Sequence, residues 1–437
     1  MNMYVYLCPM MKIIKLFILL SIIINPAFTQ SLSIDECVRI ALDNKSSIRR
    51  AEQDVQIAKL NQYSSLASIL PSVSVNNSFR ETTYGNSSDM AEQYSAGISL
   101  SQNVFNFGNN LQDVRGGRNN FLITKLQERG SRANIIFNVY SSYYQFLKDS
   151  ELLEIANKDF SLSEKQLELV EEQYNLGAVS KTDFLKASVR FGTAKSNLLS
   201  RKLNKDNSFN KLLNSMGLID SDISIQLPKK VDIFFVVPSY QEALALMISN
   251  NPDLNILDRQ IVSSKINVQQ SWAGMLPSVR LSVGMNAVSD ASISSEFFND
   301  NYIKNTNLTL SIPIFTGTRN RNNVQISKIR LNQSESRYSS VLKDSKVDLY
   351  QLINTLNNFQ EIIPIQEEVL KSAEEDLKLA QNKYELGSAS ILELLDAQLA
   401  SIQASSSLIS TKYDAAIQVA NLDRLLGTLD KKYQQGE

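Results

Sequence analysis

The sequence predicts a mainly α-helical chain with a small β part, assembled from two copies of one helix–β-hairpin–long helix–helix unit. Three observations predict it. A set of landmarks recurs in one order at nearly one offset, the hydrophobic period changes from helical to alternating after each of two Leu-Pro dipeptides, and it turns helical again over stretches of coiled-coil length.

The repeat is read from matched pairs. Ser33-Ile-Asp-Glu36 returns as Ser239-Tyr-Gln-Glu242, 206 positions later, and both are capping boxes in which serine and glutamate satisfy orphan amides at a helix start. Asp43 to Ile48 corresponds to Ser249 to Leu254, and Leu70-Pro71-Ser72-Val73 to Leu276-Pro277-Ser278-Val279, at the same offset. Tyr174-Asn-Leu-Gly177 pairs with Tyr384-Glu-Leu-Gly387, now 210 apart; Ser180-Lys-Thr-Asp183 pairs with Ser390-Ile-Leu-Glu393, and Met216-Gly217 with Leu426-Gly427. Chance does not keep so many landmarks in register.

Within each copy the elements follow in order. Pro71 and Pro277 switch helix to strand. Beyond them Val73 and Val75, and Val279, Leu281, Val283, Met285 and Ala287, alternate with other residues, as do the return runs Tyr94, Ala96, Ile98, Leu100 and Leu308, Leu310, Ile312, Ile314. We expect strands over about 72–82, 93–105, 278–288 and 304–315. After Gly108 and Gly317 apolar residues step by three and four, as in Phe160, Ser163, Leu167, Val170, Tyr174 and in Leu370, Ala373, Leu377, Ala380, Tyr384. Alanine and serine on these seams suit a close, sheet-like array of helices. The helix from about Asn109 to Gln173 would reach roughly 95 Å. Its second copy contains Pro364, which removes an amide and should kink it. Gly177 and Gly387 are expected to take the left-handed cap conformation where these helices end.

Domain limits follow: a first repeat over 30–217, an extended linker over 218–238, a second repeat over 239–427, and a short polar tail over 428–437 that should fray. Residues 1–29 have the parts of a secretory signal peptide: Lys12 and Lys15, an apolar run from Leu16 to Ile24, and a small-residue exit with cleavage near Thr29/Gln30. Initiation at Met10 or Met11 would leave that signal intact. No cysteine follows the run closely, so no lipid anchor is expected. Export is.

Composition narrows the function. With 44 basic and 45 acidic residues the chain has no charge excess that points to nucleic acid. It contains no histidine, which removes the commonest general acid/base and metal ligand. Cys37 has neither a second mature cysteine nor a histidine beside it and reads as a small core residue. No nucleophile-and-base set, metal spacing or phosphate loop is present, so no catalytic residue, cofactor or metal is expected.

Strands of about ten residues can cross a bilayer, but four of them make a sheet with open edges, which hydrocarbon cannot satisfy. Single-chain outer-membrane barrels begin at about eight strands. Such a chain must therefore share its strands with copies of itself. Two copies would supply eight strands and three would supply twelve; the physics leaves both open.

These residues together resemble the TolC-type outer-membrane efflux proteins. The likeness rests on the capping-box start, both Leu-Pro-Ser-Val exits, Val104-Phe105 and Ile314-Phe315 before glycine-containing turns, and both Tyr-x-Leu-Gly turns. It implies a homotrimer with one 12-stranded outer-membrane barrel in its lipid, continued by a helical tunnel across the periplasm of a Gram-negative-type bacterium. It implies a periplasmic adaptor and an inner-membrane pump as partners. The chain would be the passive conduit of a tripartite efflux or type I secretion system, with the cargo set by the pump. By motif, an acidic ring at the pore entrance would fall on Glu393 and Asp396, a gating link on Asp183 and Tyr384, and the adaptor-facing turns on Gly177 and Gly387. One basic position of the family's closing network is Ala389 here. Asp183 and Glu393 also stand fourth in capping boxes, where a carboxylate serves the helix start alone, and Tyr174 and Tyr384 also fall on the packing seam. Phe105 and Phe315 suit an interface anchor and packing under a barrel equally. Two other readings share parts of this pattern: a periplasmic coiled-coil adaptor or structural protein, and an exported enzyme.

Overall fold

The computed structural model describes residues 32–83, 85, 90–218, 234–290 and 302–433 of the 437. The expected signal peptide, most of the linker, the tips of both hairpins and the last four residues lie outside the described residues.

The described elements run α1 (Ile34–Asn44), α2 (Ser46–Leu66), β1 (Ser72–Thr83), β2 (Met90–Phe105), α3 (Asn109–Asn175), α4 (Lys181–Met216), then α5 (Tyr240–Asn250), α6 (Pro252–Ala273), β3 (Ser278–Ser289), β4 (Tyr302–Ser311), α7 (Arg319–Glu385) and α8 (Ile391–Leu426). The duplication holds element by element. Both long helices have 67 residues and both returning helices have 36. The offset changes only across the hairpins.

One feature of the opening helices differs from the sequence reading. Each copy starts with two helices rather than one. Lys45 (ψ 117°) and Asn251 (ψ 122°) are extended and break the run. Pro252 explains the second break, because proline pushes the preceding residue out of the α region. Asn251 then caps α6, accepting from the amides of Asp253 and Leu254 at 2.9 and 3.1 Å. Both opening capping boxes form: the Ser33 amide donates to Glu36 Oε2 at 2.7 Å, and the Ser239 amide to Glu242 Oε2 at 3.2 Å.

Helix α7 runs through Pro364 as one α-helix. Strand β4 stops at Ser311 instead of reaching 315, since Pro313 lacks the amide that a ladder needs. Ile314 and Phe315 therefore lie outside the sheet and are exposed.

Contacts divide the chain into two compact units. One comprises Met1–Asn44, Val139–Phe234 and Gln366–Asp414. Here α1 packs on α4, burying Cys37, Val38 and Ala41 together with Leu212 and Met216. Cys37 is a core residue as expected, and burial pushes its thiol up to about 12, which keeps it an unreactive thiol. Ion pairs tie the helices together: Lys148 to Asp414 at 2.7 Å, Lys412 to Glu367 at 2.6 Å, and Arg190 to the buried Asp159.

The other unit comprises Lys45–Asn138, Phe235–Ile365 and Ala415–Glu437. Its helical core joins Ala243 and Met247 of α5, Leu254 of α6, Leu349, Leu352, Ile353 and Leu356 of α7, and Leu422 and Leu426 of α8. The end of the linker is part of it. Phe235 and Val237 pack on that core, and the Phe235 carbonyl accepts from Gln360 Nε2 at 3.3 Å.

The C-terminal segment corrects the expectation of a frayed tail. Residues Asp430–Tyr433 form a short 3-10 turn, and Leu429 and Asp430 are fully buried. Arg129 of α3 holds this turn with its Nε donating to Asp430 Oδ2 at 2.6 Å, while its Nη2 reaches Asp430 Oδ1 at 3.2 Å and the Gly427 carbonyl at 2.6 Å.

Candidate functional site

Two regions carry the function-bearing residues: the sheet in the second unit and the helical turns in the first.

The sheet has the order β1-β2-β3-β4 with every neighbour antiparallel. The two hairpins are thus joined through β2 and β3, and β1 and β4 are left as edges. Register sorts the side chains into two faces. Val73, Leu100 and Val283 stand in one row, and Val75, Ile98 and Met285 in the next; Leu281 faces Leu308 and Val279 faces Leu310 on the same side. A bulge after Asn103 brings Phe105 onto this face opposite Val279. The opposite face carries Ser72, Ser101, Ser282 and Asn307 in one row and Ser74, Ser99, Gly284 and Asn305 in another. Its hydroxyls form a ladder, with Oγ–Oγ distances of 2.9 Å for Ser72–Ser101 and Ser74–Ser99 and 2.6 Å for Ser78–Ser95.

Much of the apolar face is exposed among the described residues: Val75 is 75% exposed and Leu308 70%. Its rings sit toward the two ends. Phe79 and Tyr94 meet in a tilted pair at 4.9 Å near the first hairpin tip, and Phe105 meets Phe107 at 4.8 Å where the sheet joins α3. No helix among the described residues is long and apolar enough to cross a membrane.

In the first unit, the turn-side ends of all four long helices pack together. Val170 of α3, Ala187 of α4 and Ile391 of α8 form one small core with Leu167, Phe184, Leu395 and Tyr384 of α7 around it. Both connecting turns are built alike. Gly177 (φ 77°) and Gly387 (φ 71°) take the left-handed conformation expected of them. The Gly177 amide donates to the Tyr174 carbonyl at 2.9 Å and the Ala178 amide to Gln173 at 2.8 Å; Gly387 and Ser388 do the same with Tyr384 and Lys383 at 3.0 and 2.8 Å. These paired bonds close the helix ends. They also turn Leu176 and Leu386 outward, 84% and 83% exposed. The sequence reading singled out the glycines and passed over these leucines, although both stand in the same Tyr-x-Leu-Gly motif.

The four polar candidates divide. Asp183 completes its capping box: its Oδ2 accepts from Ser180 Oγ at 2.7 Å and from the Ser180 amide at 3.3 Å. Tyr384 lies close enough for the Asp183 charge to matter. Burial first, and that carboxylate second, raise its phenol above the ordinary range. Its hydroxyl donates to Gln173 Oε1 at 3.3 Å, and no Asp183–Tyr384 hydrogen bond forms among the described residues. Tyr174 stacks on Phe184 at 5.4 Å, which is a packing role.

Glu393 keeps half of its box. Its amide donates to Ser390 Oγ at 3.3 Å, while its carboxylate turns to Lys383 Nζ at 3.3 Å. Asp396 is exposed and makes no ion pair among the described residues; it borders an open groove between α4 and α8 with Lys186, Arg190, Leu185, Val189 and Leu399. Glu393 and Asp396 are three positions apart on one helix face, so their carboxylates are neighbours.

A family model described as "Outer membrane efflux protein" matches residues 37–218 and 243–428, one stretch in each repeat. The cation efflux system protein CusC of Escherichia coli K12 is 23% identical over 400 residues, covering 89% of this chain and 84% of that protein. The outer membrane protein TolC of the same strain is 22% identical over 453 residues, covering 97% and 88%. Among solved structures, a CusC crystal structure superposes with a TM-score of 0.81 at 22% identity, covering 90% of this chain and 92% of that one. The open-state MtrE outer membrane channel of Neisseria gonorrhoeae gives 0.80 at 19% identity, covering 91% and 89%. Structural likeness at that identity shows a common fold, and the family model spans both repeats with the strand pairs and helical turns described above. This chain belongs to the outer membrane efflux protein family.

Proposed function

We propose that the protein is the outer-membrane duct of a tripartite efflux or type I secretion system, a passive conduit that crosses the outer membrane and extends into the periplasm. The single observation that carries this reading is the two-faced sheet with open edges. An apolar face flanked by rings suits lipid with its interfaces, and a hydroxyl-covered face suits water. Edge strands β1 and β4 leave backbone groups that lipid cannot satisfy, so each must pair with a neighbouring copy. Three copies would close a barrel of twelve strands, and the family to which the chain belongs supports three over two.

Energy would come from an inner-membrane pump reached through a periplasmic adaptor. Leu176 and Leu386, held outward by the Gly177 and Gly387 caps, are the apolar contacts that such an adaptor would cover. Glu393 and Asp396 would stand as an acidic ring at the periplasmic entrance and favour cations there. Tyr384, Gln173 and Asp183 would form the polar link that holds the entrance helices together. The one-sided adaptor reading fits less well, since a hairpin-bearing adaptor has no use for a lipid-compatible sheet face.

The test compares two adjacent residues at one depth. Purified protein in planar bilayers should conduct, and unboiled samples should migrate as trimers. Val283→Lys puts a charge on the apolar face in the uncharged row of Val73 and Leu100, and should cost about 2–4 kcal/mol near a bilayer midplane, abolishing trimer and conductance. Ser282→Lys, on the hydroxyl face, should leave both in place. A sheet that tolerates Val283→Lys and fails with Ser282→Lys would invert the assignment of faces; a stable, non-conducting wild-type monomer would end it.

A further inference from the structure

Charge is distributed over the sheet in a way that the duct reading does not require. The described strands carry five charged residues: Arg80, Glu81, Glu92, Arg280 and Lys304. Glu81 and Glu92 face each other near the first hairpin tip, and Lys304 lies over the Tyr302 ring at 5.3 Å near the second. All three share the parity of the apolar face; Glu81 and Glu92 lie toward the first hairpin tip, and Lys304 stands at the β4 end of the row of Val75, Ile98 and Met285. The hydroxyl face carries the other two, and both are arginines. Arg80 is in register with Gln93, and Arg280 with Asn103. No carboxylate shares that face among the described strand residues.

The two arginines mark different levels. Gln93 and Asn103 are ten positions apart on β2, which places the levels about 33 Å apart along the strand. That is several times the screening length of about 8 Å at physiological salt, so each level acts by itself. Arg280 Nε donates to Asn103 Oδ1 at 3.0 Å, which steadies the side chain and leaves its terminal nitrogens to other acceptors. Arg80 and Arg280 are exposed, and neither forms an ion pair among the described residues.

We propose that the hydroxyl face forms an anion-attracting lining, with Arg80 and Arg280 as two cationic belts near its opposite ends. The inference rests on the proposed function, in which this face lines a water-filled lumen shared by three copies. Each belt then holds three guanidinium groups; the Arg280 belt stands among serine, threonine and asparagine side chains of the described strands, and the Arg80 belt lies at the level of Gln93, one position beyond the Tyr94–Ser289 pair and near Asp290. The lining of the sheet unit then favours anions, opposite in sign to the preference proposed for the acidic residues of the helical turns.

The experiment measures the chloride-to-potassium permeability ratio from reversal potentials across planar bilayers in a KCl gradient. Three charges at about 8 Å in water, screened over one Debye length, favour a monovalent anion and disfavour a monovalent cation by about two- to threefold each, so their ratio changes by about four- to ninefold. Arg80→Gln with Arg280→Gln should lower the ratio by that factor, and Arg80→Lys with Arg280→Lys should preserve it. Inorganic tripolyphosphate added on the hairpin side should block the wild-type channel and not the glutamine variant. An unchanged ratio in a conducting glutamine variant overturns the belts, and so does a wild-type channel indifferent to tripolyphosphate. The wild-type block decides the matter if the variant does not assemble. A wild type with no conductance instead refutes the duct itself.

Discussion

Asp430 gives the most demanding test of the packing described here, because it turns a segment expected to fray into a structural clamp. Its side chain is 0% exposed, that of Arg129 is 19% exposed, and the two meet through paired nitrogen–oxygen contacts of 2.6 and 3.2 Å. Asp430→Ala removes both acceptors and leaves the guanidinium with the Gly427 carbonyl as its remaining described acceptor. Breaking a buried pair from one side costs about 3–5 kcal/mol. Part of Arg129 is solvated, so the lower end, about 3 kcal/mol, is expected here. For a unit of this size that corresponds to a fall of about 6–12 °C in melting temperature. The assay is thermal unfolding in detergent, followed by far-ultraviolet circular dichroism, with Arg129→Met/Asp430→Leu as the companion variant. Removing both charges for apolar groups should recover most of the loss. An Asp430→Ala melting point within 2 °C of wild type would refute the clamp and return the segment to a solvated tail.

Further outcomes follow from the turns, the acidic ring and the capping boxes. Gly177→Ala and Gly387→Ala have open space for the new Cβ and should cost only the left-handed strain of about 1–2 kcal/mol. Gly427→Ala meets the Asn250 carbonyl oxygen at 2.4 Å as well, and should lower the melting temperature further than either. Glu393→Gln with Asp396→Asn should reduce the cation-to-anion preference in single-channel recordings by about four- to ninefold. Asp396→Asn alone should carry most of that change, because Glu393 is already paired with Lys383; unchanged selectivity in the double variant would remove the ring. Hydrogen bonds from Ser33 and Ser239 lower the carboxyls of Glu36 and Glu242, so their contribution is complete above the ordinary glutamate value of 4.5 and is lost as pH falls below it. Burial raises Asp159 against the opposing pull of Arg190, so its contribution is complete below the ordinary aspartate value of 3.8 and is lost as pH rises through the folded value. Melting temperatures measured from about pH 6 to about pH 3 should show a shallower acid loss in Ser33→Ala/Ser239→Ala and a steeper one in Asp159→Asn.

The parts legible in the sequence are those decided within a few residues. Capping boxes at Ser33, Ser180 and Ser239, the strand starts after Pro71 and Pro277, and the left-handed glycines each depend on neighbours one to five positions away. The doubling was readable because two copies of one local code can be compared with each other. The split of each opening helix at Lys45 and Asn251 was missed although its cue, Pro252, is local. The end of β4 was missed in the same way: the alternation of Leu308 to Ile314 concealed that Pro313 cannot join a ladder.

By itself, then, the sequence determined the repeat, the kind and order of its elements, and the alternation that gives each strand two unlike faces. Only the tertiary structure decided that β2 pairs with β3, leaving β1 and β4 as the open edges. It alone brought Asp430 to Arg129 across 301 positions and Tyr384 to Gln173 across 211, and it alone turned the Glu393 carboxylate from its own cap to Lys383. The physical reason is reach. Periodicity and caps act over one or two helical turns, whereas the partner of a distant polar group is whichever surface packing carries to within about 3 Å of it.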